Sequence, residues 1–208
     1  MTEVLTSLAG WQDMWRQLGA SGSDDALFLR LVECYSEPHR KYHTMQHLKE
    51  CFAHLESVRS FAERAGEVEL ALWFHDAIYD TRRKDNEERS AEWARDSALA
   101  AGLADDQASR IYQLVMATMH NAVPAGTDAA VMVDIDLAIL GAEVERFDEY
   151  EIQVREEYSW VPGPLYRAGR KKVLQEFANR ESIYSTEYFR AEHESRARSN
   201  IARSLARL

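Results

Sequence analysis

Along this chain apolar residues recur at three- and four-residue intervals, and nowhere do they alternate strictly with polar ones between turn signals. That pattern predicts helices and no strands. The first helix runs from about residue 3 to residue 18 and ends at "LGASGS". Ser23 can cap a second through about Ser36, closed by Pro38. After the loop "EPHRKY", Thr44 can cap a third to about Ala65, with Gly66 as its stop. A fourth carries "ALWFHDAIYD" and ends near Tyr79, and Asp85 or Asn86 caps "EERSAEWARDSALAA". A sixth spans about 105 to 121 and breaks at "NAVPAGT"; the shorter "DAAVMVDIDLAIL" stops at Gly141. Residues 143 to 158 form another, and Pro162 and Pro164 separate it from "LYRAGRKKVLQEFANR". The last runs from about Thr186 to the end, with Ile201, Leu205 and Leu208 as the stripe that docks on the body. The expectation is one all-α domain over residues 1–208, a helical bundle with a core of about 36–140 and C-terminal helices 143–208 packed on it.

Composition narrows the partners. Of 208 residues 46% are hydrophobic and 29% charged, ordinary for a globular chain that can bury a core. A net charge of −10 and a pI of about 5.2 argue against a nucleic-acid polymer, whose backbone needs clustered Lys and Arg. A small anionic substrate remains compatible with a few local cations. The two cysteines, Cys34 and Cys51, form neither a CxxC pair nor a disulfide framework. The start "MTEVLTSLAGWQDMW" lacks a cationic, apolar leader, and no apolar run is long enough to cross a bilayer. A cytoplasmic protein with reduced thiols and no membrane partner is expected, and self-association into a homo-oligomer is compatible with all of this.

The chemistry concentrates where polar residues interrupt apolar helices. "YHTMQHL" sets His43 and His47 four residues apart, on one face if both are helical. His75 and Asp76 end an apolar run, His120 ends "QLVMATMH", and Asp134 and Asp136 punctuate "VMVDIDLAIL". A lone buried histidine is ordinarily a hydrogen-bonded core residue, but an ionised carboxylate in a core needs a partner. Imidazoles and carboxylates recurring in separate apolar segments are satisfied together by a divalent cation, and water positions left open on it would mark a catalytic site. Cys51, one turn after His47, reads as core packing, and His39, His54 and His193 as structural.

The ordered set "YHTMQHL", "LALWFHDAIYD", "DNEERSA", "ATMHN" and "DIDLAILGA" resembles the HD-domain superfamily of metal-dependent phosphohydrolases, in particular a bacterial branch of predicted HD phosphohydrolases. The resemblance covers roughly residues 36 to 205. It implies His47 as the first metal ligand, His75 and Asp76 as the HD pair, and Asp136 as the distal aspartate, with Asp134 as the alternative. His43 matches a histidine viewed in related cyclic-nucleotide phosphodiesterases as the leaving-group acid. His120 matches a position that carries a second-site ligand in dinuclear members, but Asn121 follows it here in place of a second histidine.

These parts imply hydrolysis of a phosphate ester of a small molecule, a nucleotide first among them, by a water activated on a divalent ion. Manganese, iron, cobalt, nickel, zinc and magnesium all accept such mixed ligation. Proton transfer falls to His43 or Asp80. The phosphate falls to Arg82, Arg83 and Lys84 after the HD helix, or to Arg40 and Lys41 beside "YH". The segment "EYEIQVREEYSWVPGPLYRAGR" reads as a pocket wall or a partner surface. Two other readings compete: an HD-fold di-iron oxygenase, which needs more histidine ligands, and a non-catalytic module whose ion merely pins the helices.

Overall fold

The structure, a computed structural model, describes residues 5–208. The expected start of the first helix at residue 3 lies outside them. Ten α-helices follow in order among the described residues, with no strand: α1 Leu8–Gln17, α2 Asp25–Cys34, α3 Met45–Val58, α4 Ala65–Phe74, α5 Asn86–Ala100, α6 Asp105–Ala117, α7 Thr127–Asp136, α8 Val144–Glu157, α9 Gly163–Ala178 and α10 Glu187–Arg207. The all-α class read from the periodicity is the class observed. No helix among the described residues is long and apolar enough to cross a membrane.

The centre of the molecule is α4. Every residue from Glu67 to Phe74 is buried, so this helix is covered on all sides, by α1, α3, α5, α6 and α7. Its two buried acids are neutralised from outside: Arg110 grips Glu67 at 2.7 and 2.8 Å, and Arg59 meets Glu69 at 2.6 Å. Trp73 anchors an aromatic cluster with Trp11, Phe28 and Phe52, whose ring centroids lie 5.4 to 5.5 Å away in edge-on or tilted contacts. The buried apolar residues form a single cluster from Trp11 to Ile201, and α10 joins it through the 3-10 turn Leu137–Gly141 and α9.

Several boundaries differ from those the sequence predicts, each for a local reason. Asp24, not Ser23, caps α2, its carboxylate accepting from the Leu27 amide at 3.0 Å. The third helix stops at Val58 and a short 3-10 turn follows, so Gly66 falls inside the first turn of α4. The fourth helix ends at Phe74, not Tyr79, which places His75 and Asp76 just past the helix. Arg40, from the loop before α3, reaches into this break and donates to the carbonyls of Asp76 (2.5 Å), Ala77 (2.9 Å) and His43 (3.3 Å). The Tyr35 hydroxyl donates to the Trp73 carbonyl at 3.2 Å and accepts from the Asp76 amide at 3.3 Å. Together they satisfy backbone groups that another helical turn would have paired. Thr44 caps α3 as the sequence predicts, and Thr186, the expected start of the last helix, caps α10.

Candidate metal centre and its cavity

His47 rises from the first turns of α3, His75 and Asp76 follow α4, and Asp136 is the last residue of α7. These elements bring four donor groups together. His47 Nε2 lies 3.1 Å from His75 Nε2, 3.5 Å from Asp76 Oδ2 and 3.4 Å from Asp136 Oδ1. His75 Nε2 lies 3.0 Å from Asp76 Oδ2 and 3.7 Å from Asp136 Oδ1. Ligands bound at about 2.1 Å sit about 3.0 Å apart on an octahedral edge and about 3.4 Å on a tetrahedral one, so this spacing fits a single ion. The His75 ring is held from behind: its Nδ1–H donates to the Leu72 carbonyl at 2.8 Å, which turns Nε2 toward the cluster.

The buried group His47, Cys51, His75 and Asp136 can hold a metal ion. Cys51 sulfur is 3.7 Å from both nitrogens of the His47 ring, alongside the imidazole, and burial pushes its thiol up, away from the thiolate that binds metals. Asp76 offers an oxygen closer to both histidines. Burial alone would lift the Asp76 carboxyl, but the His75 and His43 charges and the bonds from His47 and His75 hold it well below the usual carboxylate range. Burial alone would lift Asp136 too; hydrogen bonds from His120 and His47 and the charge of His75 hold it down as well. The carboxylates are thus kept as anions and the imidazoles lie against them, the donor chemistry a divalent cation requires.

Above the cluster opens a cavity of about 610 Å³. Asp76, Asp136, His43 and His120 reach it from below. His43 is not on the face of α3 with His47; it lies in the turn before the Thr44 cap, stacked 4.1 Å from the Tyr79 ring. Its Nδ1–H donates to Glu157 at 2.8 Å. His120, two residues past the cap of α6, adopts a left-handed backbone (φ 54°), alone among the described non-glycine residues, and its Nε2 lies 2.9 Å from Asp136.

Glu157 escapes a reading of the sequence. Its side chain is fully buried and accepts five hydrogen bonds: the amides of Lys41, Tyr42 and His43 at 2.8 to 3.0 Å, the His43 ring, and the Tyr79 hydroxyl at 2.8 Å. Burial would raise its carboxyl, but the His43 ring and these amides carry it from 4.5 down to about 2.

Other candidates lie elsewhere. Asp134 points away from the cluster and accepts from the Ser185 amide (2.8 Å), the Thr186 amide (2.7 Å) and the Thr186 hydroxyl (2.7 Å), fastening α7 to the start of α10. Arg40 is buried in the clasp described above, where its donors serve carbonyls and not a phosphate. Lys41 sends its ammonium outward to the Pro38 carbonyl. Asp80 is exposed and shapes its own loop, accepting from the Arg82 amide at 2.9 Å. In that loop Arg82 lies over the Trp160 ring, Arg83 pairs with Asp85 at 2.5 to 2.7 Å, and Lys84 is exposed. None of these seven lines the cavity. A scan against models of known families, a search of characterised proteins and a search of solved structures return no match.

Proposed function

We propose that this chain is a metal-dependent phosphohydrolase of the HD type, hydrolysing a phosphate ester of a small molecule such as a nucleotide. One observation carries the reading: two imidazoles and two carboxylates converge, with His-to-His and His-to-Asp separations of 3.0 to 3.7 Å, and the two carboxylates line a cavity that a buttressed histidine also lines. His47, His75, Asp76 and Asp136 would hold the ion. When bound, it supplies Lewis-acid charge and lowers the pKa of a coordinated water.

The chain's own residues account for the rest. In hydrolysis the ester P–O bond breaks, a water oxygen bonds to phosphorus, and the departing oxygen needs a proton. With Nδ1 held by Glu157, His43 delivers that proton from Nε2 and recovers one from the water that is consumed. Glu157 stabilises the imidazolium and fixes the ring, which Tyr79 also holds by stacking. His120 orients Asp136 through the 2.9 Å contact. The surrounding tyrosines and aliphatic side chains exclude bulk water from the reacting atoms.

The test pairs elemental analysis with phosphate release from a panel of phosphate esters. About one ion per chain with metal-dependent release supports the proposal. The variants His75→Ala and Asp76→Ala should lose the ion and turnover while keeping helical circular dichroism, and His43→Ala should keep the ion and lose turnover by about 10²-fold or more. Full hydrolysis in the His75→Ala/Asp76→Ala double variant, or two irons per chain with no phosphate release, would overturn it.

A further inference from the structure

Resting on the hydrolase reading above, we propose that the substrate carries a single phosphate on an apolar, ring-bearing body. The cavity has two unlike ends. At the cluster end, beside the ligands, the Tyr42 hydroxyl and His120 Nδ1 are buried without a hydrogen-bond partner, so polar atoms wait there for a polar ligand group. One face of α9 also lines the cavity, running from Phe177, whose ring lies 6.2 Å from that of His120, out through Val173 to Tyr166 and Leu165.

That face meets the core only toward its C-terminal end, through Leu174 and Phe177. Leu174 is the single buried residue of this sixteen-residue helix, while Leu165 is 66% and Val173 41% exposed. Gly169, in the middle of the stripe, has open space where a Cβ would stand, which keeps the wall recessed. An apolar face turned into a cavity of this size gains by covering itself with an apolar ligand group.

Charge limits the phosphates to one. Arg170 is the lone arginine or lysine among the cavity-lining residues, and its guanidinium is already paired with Glu151 and set 5.0 Å from the Tyr150 ring. Glu87 adds an acid to the same cavity. A second or third phosphate would lie against tyrosines and aliphatic groups without a counter-charge, whereas one phosphate at the cluster end is served by the ion and His43.

The experiment has a binding arm and a turnover arm. In the first, calorimetry on the manganese-loaded protein compares phenylpropyl phosphonate, which cannot be hydrolysed, with methylphosphonate. The arylalkyl ligand should bind at least about tenfold tighter, with a negative heat-capacity change. Val173→Glu should remove about tenfold of that affinity, with Leu165→Ser as the second variant should the first fail to fold. In the turnover arm, phenylpropyl phosphate is compared with glycerol phosphate, whose leaving alcohol is of similar basicity, and with adenosine mono- and triphosphate. The highest kcat/KM should belong to phenylpropyl phosphate. Equal phosphonate affinities, or fastest release from glycerol phosphate or either nucleotide, would overturn the apolar class while leaving a hydrolase. Phosphonate preference without release from any ester would uphold the ligand class and sink the hydrolase.

Discussion

Replacing Glu157 by glutamine keeps the shape of the side chain and removes its charge. In the native protein Oε1 accepts from three successive amides and Oε2 from the His43 ring and the Tyr79 hydroxyl. The glutamine carbonyl can take over from Oε1, but its NH₂ then faces two donors where an acceptor is required. The magnitude follows from the carboxyl's displacement from 4.5 to about 2. At about 1.4 kcal/mol per pKa unit, this amounts to about 3 kcal/mol of stability above the ordinary carboxylate pKa. Between the two values the unfolded chain binds more protons than the folded one. Stability therefore rises with pH through that window and is lost as pH falls from about 4.5 toward 2. Urea unfolding of Glu157→Gln should show a deficit of about 2 to 3 kcal/mol near neutral pH, and more than half of it should vanish by about pH 3, where the native protein has lost the same contribution. A deficit that stays constant across this range, or none at neutral pH, would refute the account of Glu157 as an ionised hub.

Arg40→Met should cost about 3 kcal/mol or more in urea unfolding, because three carbonyls at the end of α4 lose their donor, and metal affinity measured by calorimetry should fall with it. At position 120 the left-handed backbone predicts that His120→Gly is more stable than His120→Ala by about 1 kcal/mol in thermal unfolding; equal stability would mean no strain resides there. His54, against the His193 and Phe189 rings, is pushed down by burial and by His193 from 6.5 to about 4. It stays neutral when folded and takes up a proton on unfolding, so stability on the order of 2 kcal/mol should be lost as pH drops from about 6.5 to about 4. His54→Phe should flatten that slope.

Much of this was legible in the chain. The apolar period placed the helices, and Thr44 and Thr186 marked two starts through their own side chains. His47, His75, Asp76 and Asp136 were named from the order of polar residues in apolar helices and from the resemblance that order carries, and the structure brings them together. What escaped depends on partners distant in sequence. The break after Phe74 is made by Tyr35 and Arg40, so local periodicity ran the helix on to Tyr79. Asp134 and Asp136 read alike, yet two residues on a helix point about 200° apart, one into the cavity and one at Thr186. Glu157 has an exposed twin in Glu156, and only packing tells them apart. The basic loop offered a phosphate site beside the acidic "DNEE", and only the fold shows Arg83 paired with Asp85 and Arg82 laid over the Trp160 ring.

The contrast between α4 and α9 divides the molecule into a part that resists change and a part that tolerates it. The His75–Asp76 pair hangs from a helix buried on every side, where a substitution of almost any residue disturbs a neighbour. Part of the cavity wall comes from a helix with one buried residue, which can exchange side chains at little expense to the frame. Under the proposed hydrolase function, drift along α9 would change which leaving group fits while the candidate metal ligands keep their places. A scaffold so arranged is suited to acquiring new specificities by a handful of substitutions, and α9 is where directed evolution of this protein should begin.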